Sequence, residues 1–361
     1  MELASDPRIG EHVHMARERI VSGESQREDR EAGSTRPESP APGEHDATPA
    51  VRPRTIAEYV GQGALLERLS IALEAVKVRG ESLEHLLLHG PPGLGKTTLA
   101  HVVAQEMGTR AWVTSGPALT KAADLVGTLT RIGEGDILFI DEIHRLPAAV
   151  EEYIYPAMED FKVDFTVDSG MHAKVISLTL KPFTLIGATT RAGMLTQPLR
   201  ARFGITHHLE YYPREDLVAI LVRAAERIGI DAVADDGFDA IAGRSRGTPR
   251  VALRLLRRVR DFAQVRGTGV VDGAAVESAL DLEGVDVLGL DEIDRKYLRV
   301  LAEIYEGGPA GLEAIAATMG DDAGTLEDVV EPYLLQIGFL ARTPRGRKLT
   351  SAGQEWVRGR S

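Results

Sequence analysis

The sequence predicts an α/β core built on a parallel sheet, followed by a helical lid and a C-terminal winged-helix domain. Three observations carry that expectation. The apolar run Leu86 to Leu88 enters the glycine-rich turn GPPGLGKT, and TTLAHVVAQEM follows with apolar residues at helical spacing. Two later runs, ILFI and FTLIGA, are short and apolar like buried strands, and each leads into polar residues. From residue 285 onward the pattern changes to short helices and a basic hairpin.

Residues 1–50 differ from everything after them. SGESQREDREAGSTRPESPAPGEHDATPA is charged and rich in Pro, Gly and Ser, so little in it repays the entropy of ordering. We expect a disordered leader, with a short helix near HVHMARERIV. The whole chain of 361 residues is 43% hydrophobic, enough for two or three small cores. Its formal charge of −12 argues against a uniformly basic nucleic-acid coat but leaves room for a local basic surface. There is no cysteine, which excludes disulfide and thiolate chemistry and fits a reducing compartment. With no apolar signal core and no run near the roughly 20 residues that cross a bilayer, the expectation is a cytoplasmic protein.

The turn Gly90 to Thr97 is a complete G-x-x-x-x-G-K-T between a strand and a helix. Its glycines let backbone N–H groups wrap phosphates, and the helix N-terminus adds its positive end. The candidate nucleotide segment is Gly93, Leu94, Gly95, Lys96, Thr97 and Thr98. Lys96 would face the β- and γ-phosphates, and Thr97 would ligate Mg²⁺. GDILFIDEIHRL supplies the second part: Asp141 at a strand end for the Mg²⁺ shell and Glu142 to polarise water. ATP and Mg²⁺ are therefore the expected cofactors.

The strand FTLIGATTRAG ends in Thr189 and Thr190, either of which could sit beside the γ-phosphate or cap the next turn. We favour Thr189. Arg200 and Arg202 follow a proline-punctuated turn. Either could neutralise a transferring phosphoryl group from a neighbouring subunit, or form an ordinary surface ion pair. Between the second and third core strands, KVDFTVDSGMHAKVISLTL alternates on both sides of Asp168-Ser169-Gly170 and reads as a hairpin near 162–180 that needs a packing partner.

Residues 214–280 read as helical. Thr248-Pro249 starts a helix whose first turn places Arg250 within reach of phosphates. The arginines at 254, 257, 258 and 260 read as a solvated face, a subunit contact or a DNA contact. In the C-terminal third, three helices and a hairpin suggest a winged helix, with Thr325 placed to cap the third. From Gly338 onward Arg342, Arg345, Arg347, Lys348, Arg358 and Arg360 face one acid, Glu355, a local reversal that suggests phosphate contact.

The runs GPPGLGKTTLA, LFIDEIHRLPAAVEEYIYPAMED, GATTRAG, RSRGTPR and RTPRGRKLT together resemble the RuvB family, over residues 51–361. The resemblance implies an α/β AAA+ P-loop ATPase core over 51–213, a helical lid over 214–284 and a winged-helix DNA-binding domain over 285–361. It also implies a homohexameric ring on duplex DNA at Holliday junctions, driving branch migration with RuvA and RuvC, and makes RuvA the hairpin's partner. By resemblance Arg202 matches a trans-acting arginine finger and Arg250 a second sensor. Val51, Arg52 and Tyr212 lie beside the nucleotide, and Glu159, Asp160 and Phe161 resemble part of its surroundings. Arg342 and Arg347 match DNA-contacting positions. The core alone also permits a ring-loading ATPase, and the winged helix a sequence-reading regulator; the hairpin and the basic wing favour the motor over the loader.

Overall fold

Strand-forming runs and helix caps fall where local chemistry favours them in the computed structural model, which describes residues 51–167, 174–230, 233–267 and 269–359. The leader, with its expected disorder and short helix, lies outside the described residues, as do the hairpin turn Asp168-Ser169-Gly170 and Arg360. Nine strands are described: β1 (Leu86–His89), β2 (Ala111–Ser115), β3 (Ile137–Asp141), β4 (Lys162–Val167), β5 (Lys174–Thr179), β6 (Thr184–Thr189), β7 (Ile205–His208), β8 (Leu340–Thr343) and β9 (Gly346–Leu349). Five form a parallel sheet in the order β2-β3-β6-β1-β7.

The central strands are apolar without interruption because both faces are covered. Leu86 and Leu88 of β1, Ile137 and Phe139 of β3, and Ile186 and Ala188 of β6 enter one core. Their neighbours Leu87, Leu138, Ile140 and Leu185 enter another. That is the two-residue period of a strand read out as two hydrophobic layers. Pairing of His89 with both Thr189 and His208, and of Ser115 with Asp141, aligns the carboxyl ends of the strands along one edge. Open α/β sheets bind ligands at that edge.

The first core continues into the lid, whose helices are Arg214–Ile228, Asp235–Gly243, Pro249–Arg266 and Gly273–Leu282. A third, separate core holds the C-terminal domain together. Its helices are Glu292–Glu303, Leu312–Met319, a short turn at Ala323–Thr325 that passes through a π-helical segment, Leu326–Val330, into Glu331–Gln336, and Ser351–Arg358. Two expectations change here. The cap of the third helix is Asp322, whose carboxylate accepts the Thr325 backbone N–H; Thr325 is already inside the helix. The last helix was not expected, although Thr350 caps it by accepting from the Gly353 backbone N–H.

The hairpin β4–β5 is antiparallel, with Val163 opposite Leu178 and Phe165 opposite Ile176. Its base belongs to the ATPase core, since Val163 and Leu180 are buried in the second layer. Ile176 further out is exposed. No helix among the described residues is long and apolar enough to cross a membrane.

Candidate active site

The turn after β1 lies at the carboxyl edge of the sheet and lines a cavity of ≈ 190 Å³ together with Asp141, Glu142, Thr190 and the first turn of the Pro249–Arg266 helix. Glycine is required in the turn on two counts. Gly95 sits at φ +92, and a Cβ there would lie 2.7 Å from the Tyr59 hydroxyl. Gly93, at φ +81, lets the Arg250 backbone N–H come within 3.3 Å of its carbonyl oxygen. The loop is braced from behind, where the Tyr212 hydroxyl donates to the Leu94 carbonyl at 3.2 Å and the Tyr59 hydroxyl to Gly95 at 3.4 Å.

Lys96 is buried, and its ammonium donates to the carbonyls of Gly90 and Pro91 at 2.9 and 2.8 Å. Burial pulls its pKa down to about 8; Asp141 opposes that fall and Arg250 adds to it. Burial pushes the Asp141 carboxyl up, against the Glu142 backbone N–H that donates to it at 2.9 Å and against Lys96. Glu142 holds a left-handed backbone, φ +47, and its carboxylate accepts from Arg145 at 2.9 Å. A non-glycine residue held there costs energy, and such strain gathers at working sites.

The two candidate sensor threonines part company in the structure. Thr190 lines the cavity, whereas Thr189, favoured from sequence, ends β6 as a buried residue with its hydroxyl 2.9 Å from His144 Nδ1. Successive side chains of an extended chain point opposite ways, so only one of the two can face the nucleotide.

A smaller adjoining cavity of ≈ 90 Å³ is lined by Val51, Arg52, Tyr59, Thr98, Tyr212, Ile220 and Leu253. Val51, Arg52 and Tyr212, the residues expected beside the nucleotide from resemblance, all line this cavity. Tyr59 and the lid arginines were missed. Arg227 donates to the Arg52 carbonyl at 2.8 Å and pairs with Glu58 at 2.8 Å, and Arg223 donates to the Glu58 carbonyl. Their signal in the sequence is the i, i+4 spacing of two arginines on one lid face.

A glycine-rich turn, a buried lysine, an acid pair at a strand end and a lid arginine sit around one cavity. A family model described as the Holliday junction DNA helicase RuvB P-loop domain matches residues 51–209; the RuvB AAA lid domain matches 212–286, and the RuvB C-terminal winged helix domain 287–358. The chain belongs to the RuvB family. It is 55% identical over 308 residues to the Kosmotoga olearia Holliday junction branch migration complex subunit RuvB, covering 85% of this chain and 90% of that one. The Thermotoga maritima RuvB Holliday junction branch migration motor matches at a TM-score of 0.77 with 48% identity, covering 86% of this chain and 98% of that one. A mutant of the same Thermotoga maritima protein matches at 0.78 with 49% identity over 85% and 98%. The P-loop domain binds ATP.

Several expected residues of this RuvB-family chain stand away from its own cavity. Arg202 pairs with Glu159 at 3.1 Å, donates to the Pro198 carbonyl at 2.8 Å and stacks over Tyr155 at 4.4 Å. Arg200 donates to the Ala192 carbonyl at 2.6 Å. Glu159, Asp160 and Phe161, expected near nucleotide, do not line either cavity. Phe161 instead packs edge-on against His85 and Phe183. The reason is topological: the helix Ala148–Glu159 ends at the start of β4, on the hairpin side of the sheet.

Arg342 and Arg347 stand opposite each other on β8 and β9. Both converge on Glu331, which is fully buried: Arg342 Nε donates to Oε2 and Arg347 Nε to Oε1, each at 2.8 Å. Both residues expected at DNA-contacting positions therefore carry an internal ion pair, and Arg342 keeps nearly half of its side chain exposed. The partner was missed because Glu331 lies on a helix upstream of the hairpin, and nothing local links it to the arginines.

Proposed function

We propose that this chain couples ATP hydrolysis in the cavity at Lys96 to movement of duplex DNA held by the winged helix, within a ring of identical subunits. It is an ATP hydrolase and a branch-migration motor of recombination and repair. The observation that supports the residue assignment best is the convergence of Lys96, Thr97, Asp141, Glu142, Thr190 and Arg250 on one cavity, while Arg202 stands outside it. A complete hydrolytic site then needs a cation from the next subunit.

The donor set suits Mg²⁺. Thr97 and Asp141 offer hard oxygen atoms beside the phosphate turn, and an ion that shares its shell with phosphates and water needs few protein ligands. Bound there, Mg²⁺ would neutralise charge between the β- and γ-phosphates. The chain's own residues do the rest. Lys96 exchanges its two carbonyl partners for phosphate oxygens, which keeps it charged. Glu142 orients and polarises the attacking water once its carboxylate leaves Arg145. Thr190 fixes the water and the γ-phosphate, and Arg250 reaches the phosphates from the lid. Arg202 of one subunit stabilises the charge that develops in the neighbour's site.

RuvA is assigned to the exposed part of the β4–β5 hairpin, supported by exposed Ile176 next to an anchored base at Val163 and Leu180. RuvC is assigned to the same assembly on resemblance alone. The test is a synthetic four-way junction with ATP and Mg²⁺, with and without RuvA. Conversion of the junction into two duplexes, dependent on ATP and faster with RuvA, is the expected result. Turnover of ATP without any junction processing would leave a ring-loading ATPase as the better reading.

A further inference from the structure

We infer that Arg191 is a positioning residue that links the nucleotide cavity to the DNA-facing wing through Glu327 and Asp328. The inference rests on the motor reading above and adds the path by which its two ends communicate.

Arg191 follows Thr190, the threonine that lines the cavity. Its backbone N–H donates to the Thr189 hydroxyl at 3.0 Å, and that hydroxyl lies 2.9 Å from His144, two residues beyond Glu142. The backbone of Arg191 is thus tied to the water-positioning turn. Its side chain leaves the ATPase core altogether. Arg191 Nη2 donates to Asp328 and lies 3.5 Å from Glu327, both in the winged-helix domain.

Glu327 is shared. It also lies 3.4 Å from Arg347 and 3.9 Å from Arg342, the two wing arginines expected to meet DNA. One carboxylate therefore answers to three guanidinium groups from two domains. Glu327 and Asp328 sit in the π-helical segment Leu326–Val330, a widened turn of a kind that recurs at functional sites. A DNA phosphate that engages Arg342 and Arg347 satisfies their charge and leaves Glu327 to Arg191. Arg191 then draws its loop towards the winged helix, and Thr190 moves with it. The same logic runs backward: a nucleotide that shifts Thr190 alters the share of Glu327 left to the wing. Coupling between two binding events is equal in both directions. Each pair is partly exposed, and exposed pairs are weak, so the lever is about fivefold and not all-or-none.

Asp328→Ala, Arg191→Asp and the charge-swapped double variant that joins Arg191→Asp to Asp328→Arg test this in the full chain. The readouts are ATP turnover without DNA, its stimulation by duplex DNA, and melting temperature. Asp328→Ala should keep the DNA-free turnover and melting temperature of the unaltered protein and lose stimulation by about fivefold, the size expected of an exposed pair. The swapped pair should recover most of that stimulation. Full stimulation in Asp328→Ala, or a double variant no better than Arg191→Asp alone, overturns the proposal. Absence of any stimulation in the unaltered protein also overturns it, and the junction assay then decides independently whether the motor reading survives.

Discussion

Lys96 in the ATPase core and Arg342 with Arg347 in the wing are all cations expected to meet phosphate, but the fold keeps them in opposite ways. Lys96 is buried, and its hydrogen bonds go to two neutral carbonyls; Asp141 offsets only part of the burial, so its charge is costly until phosphate arrives. The wing arginines are held on a buried carboxylate, so their charge is already balanced. The first arrangement stores demand for an anion and suits a tight, specific ligand. The second would make any DNA that meets these arginines compete with an internal partner. That suits a motor, which must release each phosphate as it advances.

The sharpest way to break the contrast is to remove a cation that belongs to neither plan. Arg202 lines neither cavity of its own chain, being paired with Glu159 and stacked on Tyr155. Arg202→Ala should still bind ATP and assemble, with turnover lowered by about 10³-fold or more, the worth of an arginine finger. Mixing it with Lys96→Ala subunits should restore activity in proportion to interfaces where an intact turn meets an intact finger. No recovery in mixed rings would return Arg202 to a structural role.

Glu142→Gln comes next in size. The strained backbone and the cavity remain, but an amide cannot polarise water as a carboxylate does. Steady-state turnover should fall by on the order of 10²-fold or more while ATP affinity, measured separately, stays within a few-fold. Normal turnover would sink the assignment of Glu142.

These two residues also mark how far the sequence can be read. The P-loop and the acid pair are contiguous, and each contains its own chemistry, so strand, turn and site were legible together. Thr189 and Thr190 were legible as a pair but not as individuals, because the register of the strand end decides which one faces the cavity. Glu159 to Phe161 resembled nucleotide surroundings, yet in the single chain they line neither cavity. Tyr59 and Glu331 were invisible. Each meets its partner across long sequence separation, at Gly95 for the tyrosine and at both wing arginines for the glutamate.

Lys96 gives a smaller, graded effect. With its pKa lowered by burial to about 8, the free protein loses the lysine charge as pH rises through that value. Bound phosphate holds the proton, so nucleotide affinity should be flat below the free pKa and fall above it, by about tenfold between roughly pH 7 and 9. The ligand-free fold follows the opposite sign. The unfolded chain binds more protons between about 8 and the ordinary 10.5, so this lysine favours folding increasingly as pH rises across that window. Nucleotide titrations at constant ionic strength check the first claim, and a pH-independent affinity would mean that Lys96 keeps its charge without phosphate.

The smallest effect lies in the wing and decides whether Glu331 restrains or assists the arginines. Glu331→Gln keeps the shape of the side chain and one oxygen to accept from the Tyr297 hydroxyl, now 2.9 Å away. It removes the negative charge and turns an amide N–H toward Arg342. Losing charged hydrogen bonds at a buried site should cost about 1–3 kcal/mol of stability, read as a lower melting temperature. The two arginines and two glutamates, Glu327 and Glu331, would no longer cancel. Arg347 still has Glu327 at 3.4 Å to orient it, so the gain in net charge should outweigh the loss of order. Duplex affinity should rise a few-fold, and its dependence on salt should steepen by about one phosphate's worth of counterion release. If the folded variant instead binds DNA more weakly, Glu331 is there to aim the arginines, and the wing would follow the same plan as the core, holding its cations ready for phosphate.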